Sequence, residues 1–561
     1  MSRACELALS GLLPMSGLVE HLMRRTTVEG LAMNDAKVGV ADAVDPECLR
    51  DRVGRGSLAV LLAWRSLERP DGRFLSVEED SDFSFGELAE SARSTAAALR
   101  DAGVGRGGRV VVRVGNDERF LPAVTAAWLV GGVAVPMHPA ASANDVTRVV
   151  DSMDIAAVIA DPLDAPAHQV GVPVVDLFRL VHGALPDDRE LIAVPDDVQG
   201  DEPALILLTS GSTGLPKGVV LTHDNAWSNL RATVSAFRSD TAPAPLPSEE
   251  KPPNLLANPL SHTAGIVRLL FALYVGRSLV LLRKFDPVMA QRIIETRGID
   301  NLTLNPSMLR MLLDGLAPGI GLGKVRYVSS GTAPLTPALR EEFEERFGVP
   351  VLQAYGQTEA FGGIAIESVR DVLAGRRRPG SVGRPLPGVE LRLVHPDGHD
   401  VELGTSGEIV VRSAAATSGY VAGDSSQVDD DGWLRTGDLG RLDEDGYLYI
   451  TGRLKNIIIC GGFNVSPDEV EAALEEDPTV VEAVVVSVPD RKLGEIPIAV
   501  VTGTGDSDSI REAVSTRLAP YKRPRSVFVV DAFPRVPNGK VDRTAVRRDV
   551  LERLGLEEAK Q

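Results

Sequence analysis

The sequence predicts an α/β protein: a large N-terminal domain of parallel or mixed sheets covered by helices, then a small, mobile C-terminal α+β domain. Three observations predict it. From Leu58 onward short apolar runs alternate with helical stretches, as strands joined by crossover helices do. After Gly446 that rhythm stops and shorter elements follow one another. The 561 residues also exceed what one compact core usually reaches. The expected division is an N-terminal extension over 1–55, a large domain over 56–453 and a small domain over 454–561.

The elements follow in order. Residues 1–55 mix charges with short apolar pieces and receive no assigned purpose. Phe83-Ser84-Phe85-Gly86-Glu87-Leu88 opens a helix running to Leu99, with Gly103 just past its end. Strands are expected over Arg109–Val114, Gly132–Pro136, Ala156–Ala160, Val172–Val175, Ala204–Leu208 and Val219–Leu221, with a helix over Ala123–Val130. The stretch from Ser239 to Pro253 is rich in Pro, Ser and charge and reads as an exposed loop. Leu279–Leu282 and Val325–Ser329 continue the strands. Thr336-Pro337 starts a helix in which Leu339, Phe343 and Phe347 recur every four residues, ended by Gly348. In the tail, Tyr447–Thr451 is a strand and Ser466-Pro467-Asp468-Glu469 has the pattern of a capping box. Val481–Val488 and Ile496–Val501 alternate around a turn, Ser509–Leu518 is helical, and Ser526–Val530 is a strand.

Composition excludes several classes. Lys+Arg number 59 against 78 Asp+Glu, a net charge of −19, which disfavours nucleic acid as a main partner. Cys5, Cys48 and Cys460 have no metal-ligand spacing, so neither disulfides nor zinc frame the fold. No apolar run reaches the roughly 18–20 residues of a membrane helix. Glu6 interrupts the apolar stretch after Arg3, which argues against a signal peptide, so a cytoplasmic enzyme is expected.

The chemistry concentrates in Leu207-Leu208-Thr209-Ser210-Gly211-Ser212-Thr213-Gly214-Leu215-Pro216-Lys217-Gly218. A strand enters this loop and a strand leaves it. Its glycines let backbone N–H groups converge, its hydroxyls add donors, and Lys217 adds positive charge, so it suits phosphate oxygens. It is not a Walker A loop, because Pro216 precedes Lys217, Gly218 follows, and no helix comes next. That ending excludes a kinase or other P-loop NTPase.

Six further motifs follow in order. They are Asn258-Pro259-Leu260-Ser261-His262-Thr263-Ala264-Gly265, Ser330-Gly331-Thr332-Ala333-Pro334 and Tyr355-Gly356-Gln357-Thr358-Glu359. Then come Trp433-Leu434-Arg435-Thr436-Gly437-Asp438, Arg453 with Lys455, and Arg535-Val536-Pro537-Asn538-Gly539-Lys540-Val541. From about residue 57 to 545 the chain resembles the adenylate-forming superfamily, whose members include acyl-CoA synthetases, peptide-synthetase adenylation domains and firefly luciferase. The resemblance implies that the Thr209–Thr213 loop and Lys217 hold ATP phosphates, and that Gly331, Thr332 and Ala333 pack on adenine with Tyr355, Gly356 and Gln357. Thr358 would bind the α-phosphate, Glu359 Mg²⁺, and Asp438 the ribose diol, as a carboxylate accepting two bonds can. Arg453 would reach ribose and phosphate. His262 and Gly265 would line the acyl pocket. Lys540, on a Pro-Asn-Gly turn, would bridge the substrate carboxylate and the α-phosphate. Lys455 would be the hinge, and Gly461 and Gly462 would guide coenzyme A. The acidic run Asp429-Asp430-Asp431 reads as a solvated turn.

The implied function is an acyl-CoA synthetase using ATP, Mg²⁺ and coenzyme A. Ser261 to Leu270 holds no carboxylate to pair with an α-amine, which points to a fatty or otherwise apolar acid. A free-standing ligase loading a separate acyl carrier protein is the alternative within the superfamily. A non-catalytic ATP- or acyl-binding protein is the alternative outside it, against which Glu359, Asp438 and Lys540 argue. Luciferase-like oxidation is disfavoured, because the lysine expected six residues after Arg453 is Ile459.

Overall fold

The computed structural model describes residues 49, 52–164, 166–177, 194–209, 217–237, 251–421, 427–454, 458–460, 463–490, 493–515, 517–518, 520–536 and 539–556. A seven-stranded sheet forms the first scaffold. Its order is Gly419–Tyr420, Lys217–Thr222, Pro203–Thr209, Val133–Pro136, Arg109–Arg113, Ile155–Ala160, Val174–Asp176. The strands from Pro203–Thr209 to Val174–Asp176 run parallel, while Lys217–Thr222 returns antiparallel from the glycine–hydroxyl loop. Val110, Val112, Leu205 and Leu207 enter one core, and Val111, Val133, Val135 and Ile206 enter another. This two-sided burial is why the strands read as unbroken apolar runs. The first core is closed by Phe85–Asp101 and by Phe120–Leu129, whose ten residues are all buried.

A five-stranded sheet carries the second half of the large domain. Leu302–Leu304, Val328–Ser330 and Val351–Gln357 are parallel, and Gly362–Ile366 and Arg384–Pro385 are added antiparallel. Arg73–Val77, Ser81–Ser84, Leu279–Leu281 and Asn254–Leu256 form a four-stranded sheet. Val389–Val394, Gly407–Ser413, Leu434–Leu442 and Leu448–Arg453 form another, antiparallel throughout. In the small domain the hairpin Val480–Asp490/Gly494–Gly503 pairs with Val527–Val530 and with Ile458–Cys460, which holds Phe463–Val465. The helices Pro467–Glu475, Ser507–Ser515 and Arg543–Leu554 complete it. Among the described residues no helix is long and apolar enough to cross a membrane.

Most expected elements form, with ends shifted by a few residues. Ser84 and Glu87 make a reciprocal capping box, so the helix starts at Phe85 and Phe83 belongs to the strand before it. Thr336 caps Pro337–Phe347, and Gly348 ends it with φ +67°. The expected strand over Val325–Ser329 is instead Val328–Ser330. The capping box at Ser466 does not form. The Ser466 hydroxyl makes no cap bond, and Glu469 is drawn 2.5 Å from Lys522 Nζ. Residues 1–48, Lys455 and the 239–250 part of the predicted loop lie outside the described residues. We propose that the chain divides at Arg453–Lys455, where the last strand of the antiparallel four-stranded sheet ends.

Candidate functional site

Sheets, turns and the small domain bring His262, Tyr355, Asp438, Arg453 and Lys540, among the described predicted residues, to one cleft. The Tyr355–Glu359 segment leaves the five-stranded sheet at Gln357, turns through Thr358–Ala360, and returns as Gly362–Ile366. A Cβ at Gly356 would stand 1.7 Å from the Gly362 carbonyl oxygen, so only glycine fits there. Thr332, in the expected adenine loop, has φ +71°, a strained conformation that tends to gather at binding loops. A Cβ at Gly331 would lie 2.9 Å from the Ala354 oxygen. Ala333 follows on the same loop, part-buried. Two polar atoms beside these loops, Ser330 Oγ and Gln357 Nε2, are buried with no hydrogen-bond partner. Buried polar groups normally find partners, and here a bound nucleotide is a chemically suitable one.

Asp438, only 4 % exposed, joins three elements. Tyr355 OH donates to its Oδ2 at 2.7 Å, Arg453 Nε donates to Oδ1 at 2.5 Å, and its own N–H donates to Thr436 Oγ1 at 3.1 Å. Burial and the neighbouring carboxylate raise the Tyr355 phenol well above its ordinary range, so it stays a donor. Asp438 and Arg453 thus hold each other in place.

Thr358 Oγ1 lies 2.7 Å from Thr263 Oγ1, linking this segment to the helix Thr263–Val275 that begins at the His262 motif. Glu359 Oε1 accepts from Tyr420 OH at 2.9 Å. Lys217 Nζ sits 5.2 Å from the centre of the same Tyr420 ring, so the phosphate-loop lysine and the expected metal carboxylate share one aromatic neighbour. The sequence reading missed Tyr420. It stands between Gly419 and Val421, and only the pairing of Gly419–Tyr420 with Lys217–Thr222 reveals its place. Thr209 ends its strand within 3.4 Å of the Lys217 carbonyl. Ser210, Gly211, Ser212 and Thr213, together with Gly461 and Gly462, lie outside the described residues.

Mg²⁺ fits a donor set of this kind. Among the described residues no cluster of three His, Cys, Asp or Glu could cage a metal. Mg²⁺ is commonly held by one or two carboxylates plus substrate phosphates, which leaves Glu359 as a sufficient protein ligand.

His262 occupies the cap position of its helix in extended conformation, its N–H donating to the Pro259 oxygen at 3.0 Å. Burial, then the charge of Lys540, then His138, push its imidazole down to about 4, so it is neutral near pH 7. A Cβ at Gly265 would lie 2.2 Å from that same Pro259 oxygen, which explains the glycine.

Lys540 comes from the small domain. It keeps access to solvent within a cleft crowded by protein, where burial and Arg453 lower its pKa and Asp438 opposes them. Contacts among the described residues dock the small domain. Ser307 Oγ donates to the Gly539 oxygen at 3.1 Å, and Glu475 lies beside the Thr336 hydroxyl. Burial pushes Glu475 up to about 7, partly offset by the Ala483 N–H donating to it at 2.9 Å. A raised carboxyl favours the protonated form, so its contribution is complete below the ordinary glutamate value and is lost as pH rises through about 7. Glu475→Gln should therefore flatten the pH dependence of thermal unfolding over that window, on the order of 2 kcal/mol. An unchanged profile would show that Glu475 is not protonated in the docked state.

Known proteins resemble this chain over most of its length. The AMP-binding enzyme family profile matches residues 62–421, and that of the AMP-binding enzyme C-terminal domain matches 469–540. A 2-succinylbenzoate–CoA ligase from Bacillus cereus is 31% identical over 497 residues, 88% of this chain and 98% of the ligase. The o-succinylbenzoate CoA synthetase of Bacillus subtilis, solved with its acyl-adenylate intermediate, is 28% identical with a TM-score of 0.76, covering 87% of this chain and 97% of that one. The same enzyme solved with ATP and magnesium ion has a TM-score of 0.73 at 28% identity, covering 87% and 99%. An amide bond synthetase, McbA from Marinactinospora thermotolerans, is 30% identical with a TM-score of 0.76, covering 88% and 99%.

Proposed function

Because this chain belongs to the AMP-binding enzyme family, we propose that it activates a carboxylic acid with ATP and passes the acyl group to the thiol of coenzyme A. The observation that carries this reading is the meeting of Lys540, Asp438, Arg453 and His262 in one cleft, with two unpaired buried polar atoms beside it. Relatives of this chain include ligases and synthetases of this type, one of them solved with an acyl-adenylate and with ATP and magnesium.

In the first half-reaction a carboxylate oxygen attacks the α-phosphorus and pyrophosphate leaves. The protein's work is positioning and charge neutralisation. Asp438 and Arg453 would hold the ribose, and Thr358, fixed by Thr263, would orient the α-phosphate. Lys217 and the 209–213 loop would hold the outgoing phosphates. Glu359, oriented by Tyr420, would hold Mg²⁺, which neutralises phosphate charge when bound. Lys540 would stabilise charge shared by the carboxylate and the α-phosphate. Neutral His262 adds a hydrogen-bonding wall without a competing cation. For thiol transfer the small domain would turn about Lys455, carrying Lys540 out and bringing Gly461 and Gly462 in.

The fatty or apolar acid expected from the sequence gives way here to a compact, functionalised one. The named Bacillus ligase and synthetase act on 2-succinylbenzoate, an aromatic acid with a succinyl arm. Acid-dependent pyrophosphate release, assayed with and without coenzyme A, tests the reading. Turnover requiring coenzyme A and yielding an acyl-CoA is expected. Slow release unaffected by coenzyme A, but accelerated by an acyl carrier protein or an amine, would replace the acceptor. No release with any acid would refute activation itself.

A further inference from the structure

The Tyr420 hydroxyl carries one hydrogen, yet two side-chain oxygens face it, Glu359 Oε1 at 2.9 Å and Gln427 Oε1. An ionised carboxylate can only accept, whereas an amide offers an oxygen on one side and an N–H pair on the other. Donors and acceptors balance when the Gln427 amide is turned end for end, a rotation that leaves its shape unchanged. Its Nε2–H then donates to the phenol oxygen, and the phenol O–H donates to Glu359. The three side chains form one directed chain that ends on the carboxylate.

Backbone contacts fix each member. Thr417 N–H donates to the Glu359 carbonyl at 2.7 Å, and Val421 N–H donates to the Gly218 carbonyl at 2.9 Å. Tyr420 therefore stands between the Thr358–Glu359 turn and the strand that leaves the phosphate loop. Gln427 belongs to a different piece of chain. Its carbonyl accepts from Arg435 N–H at 2.7 Å, and Val428 bridges to Leu434, which ties it to the start of the strand Leu434–Leu442 that carries Asp438. Tyr420 is only 8 % exposed, so water competes little for its hydroxyl. Among the described residues the tie engages Oε1 of Glu359, leaving Oε2 for the Mg²⁺ that Glu359 would hold.

We propose that Gln427 is a positioning residue for the metal carboxylate, acting through Tyr420 to fix the orientation of Glu359. Hydrogen bonds to a ligating carboxylate set its direction and favour its charged form. The same amide links the carboxylate for the metal to the strand for the ribose, so the two ends of the nucleotide site are held in one register. This inference rests on the reading of Glu359 as the Mg²⁺ carboxylate in acid activation and adds the residue that supports it there.

The test uses the full chain with Mn²⁺ and α,β-methylene-ATP, read by electron paramagnetic resonance, in wild type, Tyr420→Phe, Gln427→Met and Gln427→Glu. Gln427→Met keeps the side-chain length and removes the donor. Gln427→Glu keeps the shape and offers Tyr420 a second carboxylate to donate to, so it should lose more. Tyr420→Phe and Gln427→Glu are each expected to weaken Mn²⁺ binding to the enzyme–analogue complex by at least about tenfold, and Gln427→Met by about threefold. Affinity for the analogue in EDTA should stay within about threefold in all of them, because the Tyr420→Phe ring still faces Lys217. Adding Gln427→Glu to Tyr420→Phe should cost less than about twofold more, since the chain is already cut. In ATP–pyrophosphate exchange the half-saturating Mg²⁺ concentration should rise, with kcat at saturating Mg²⁺ within about threefold of wild type. Unchanged Mn²⁺ binding in both Gln427 variants, or an undiminished effect of Gln427→Glu in the Tyr420→Phe background, would overturn this inference and leave Glu359 as the metal carboxylate. Wild type that binds the analogue with no Mn²⁺ beside it would overturn the metal reading and this inference together.

Discussion

Lys540→Ala is expected to lower acid-dependent ATP–pyrophosphate exchange by about 10²–10³-fold, the usual cost of removing one preorganised donor to developing charge. Its side chain reaches the cleft that holds Asp438 and Arg453, and its charge is felt by His262. The nucleotide's ribose and base would still meet Asp438, Tyr355 and the Gly331–Ala333 loop, so the KM for ATP should change less than about tenfold. An acid supplied as its preformed adenylate should be passed to coenzyme A at nearly the wild-type rate, because in the proposed alternation Lys540 would be withdrawn for that half-reaction. Unchanged exchange would remove Lys540 from adenylation, and equal losses in both half-reactions would remove the domain alternation. The depressed pKa adds a pH signature: exchange should fall on the alkaline side earlier than an ordinary lysine would require.

Much of this site was legible because its chemistry sits in short turns of fixed composition. Gly356, Gly331 and Gly265 each stand where a Cβ would strike backbone, so their motifs survive as readable strings. The apolar strand runs were legible for a similar reason, since the parallel strands are buried on both faces. Contacts made by strand order were not legible. Nothing in the spacing of Tyr420 and Glu359, 61 residues apart, tells that one hydroxyl orients the other carboxylate. Tyr355 and Asp438, 83 apart, meet only because strands of two separate sheets face one cleft. The failed cap at Ser466 belongs to the same class, where a tertiary ion pair between Glu469 and Lys522 overrides a local signal.

The larger structural effect is expected from Gly356→Ala. Gly356 pairs with Gly363 across the hairpin, just after a register shift at Tyr355. The added methyl would meet the Gly362 oxygen at 1.7 Å and its carbonyl carbon at 2.6 Å. Both are backbone atoms in a paired strand, so no side-chain rotation relieves the clash. Gly362 itself is at φ +107°, a conformation that restricts how the opposing strand can move. The hairpin must open, and it holds Tyr355 against Asp438 on one side and Thr358 against Thr263 on the other. Destabilisation of about 2–4 kcal/mol is expected, with loss of adenylation larger than the loss of folded protein explains. Gly105→Ala is the control, because nothing lies within 4 Å of its Cβ position. It should stay within about 0.5 kcal/mol of wild type. Thermal melts and pyrophosphate exchange on both variants decide the matter. If Gly356→Ala behaved like Gly105→Ala, the close approach of the two strands would not be what holds the nucleotide residues in place.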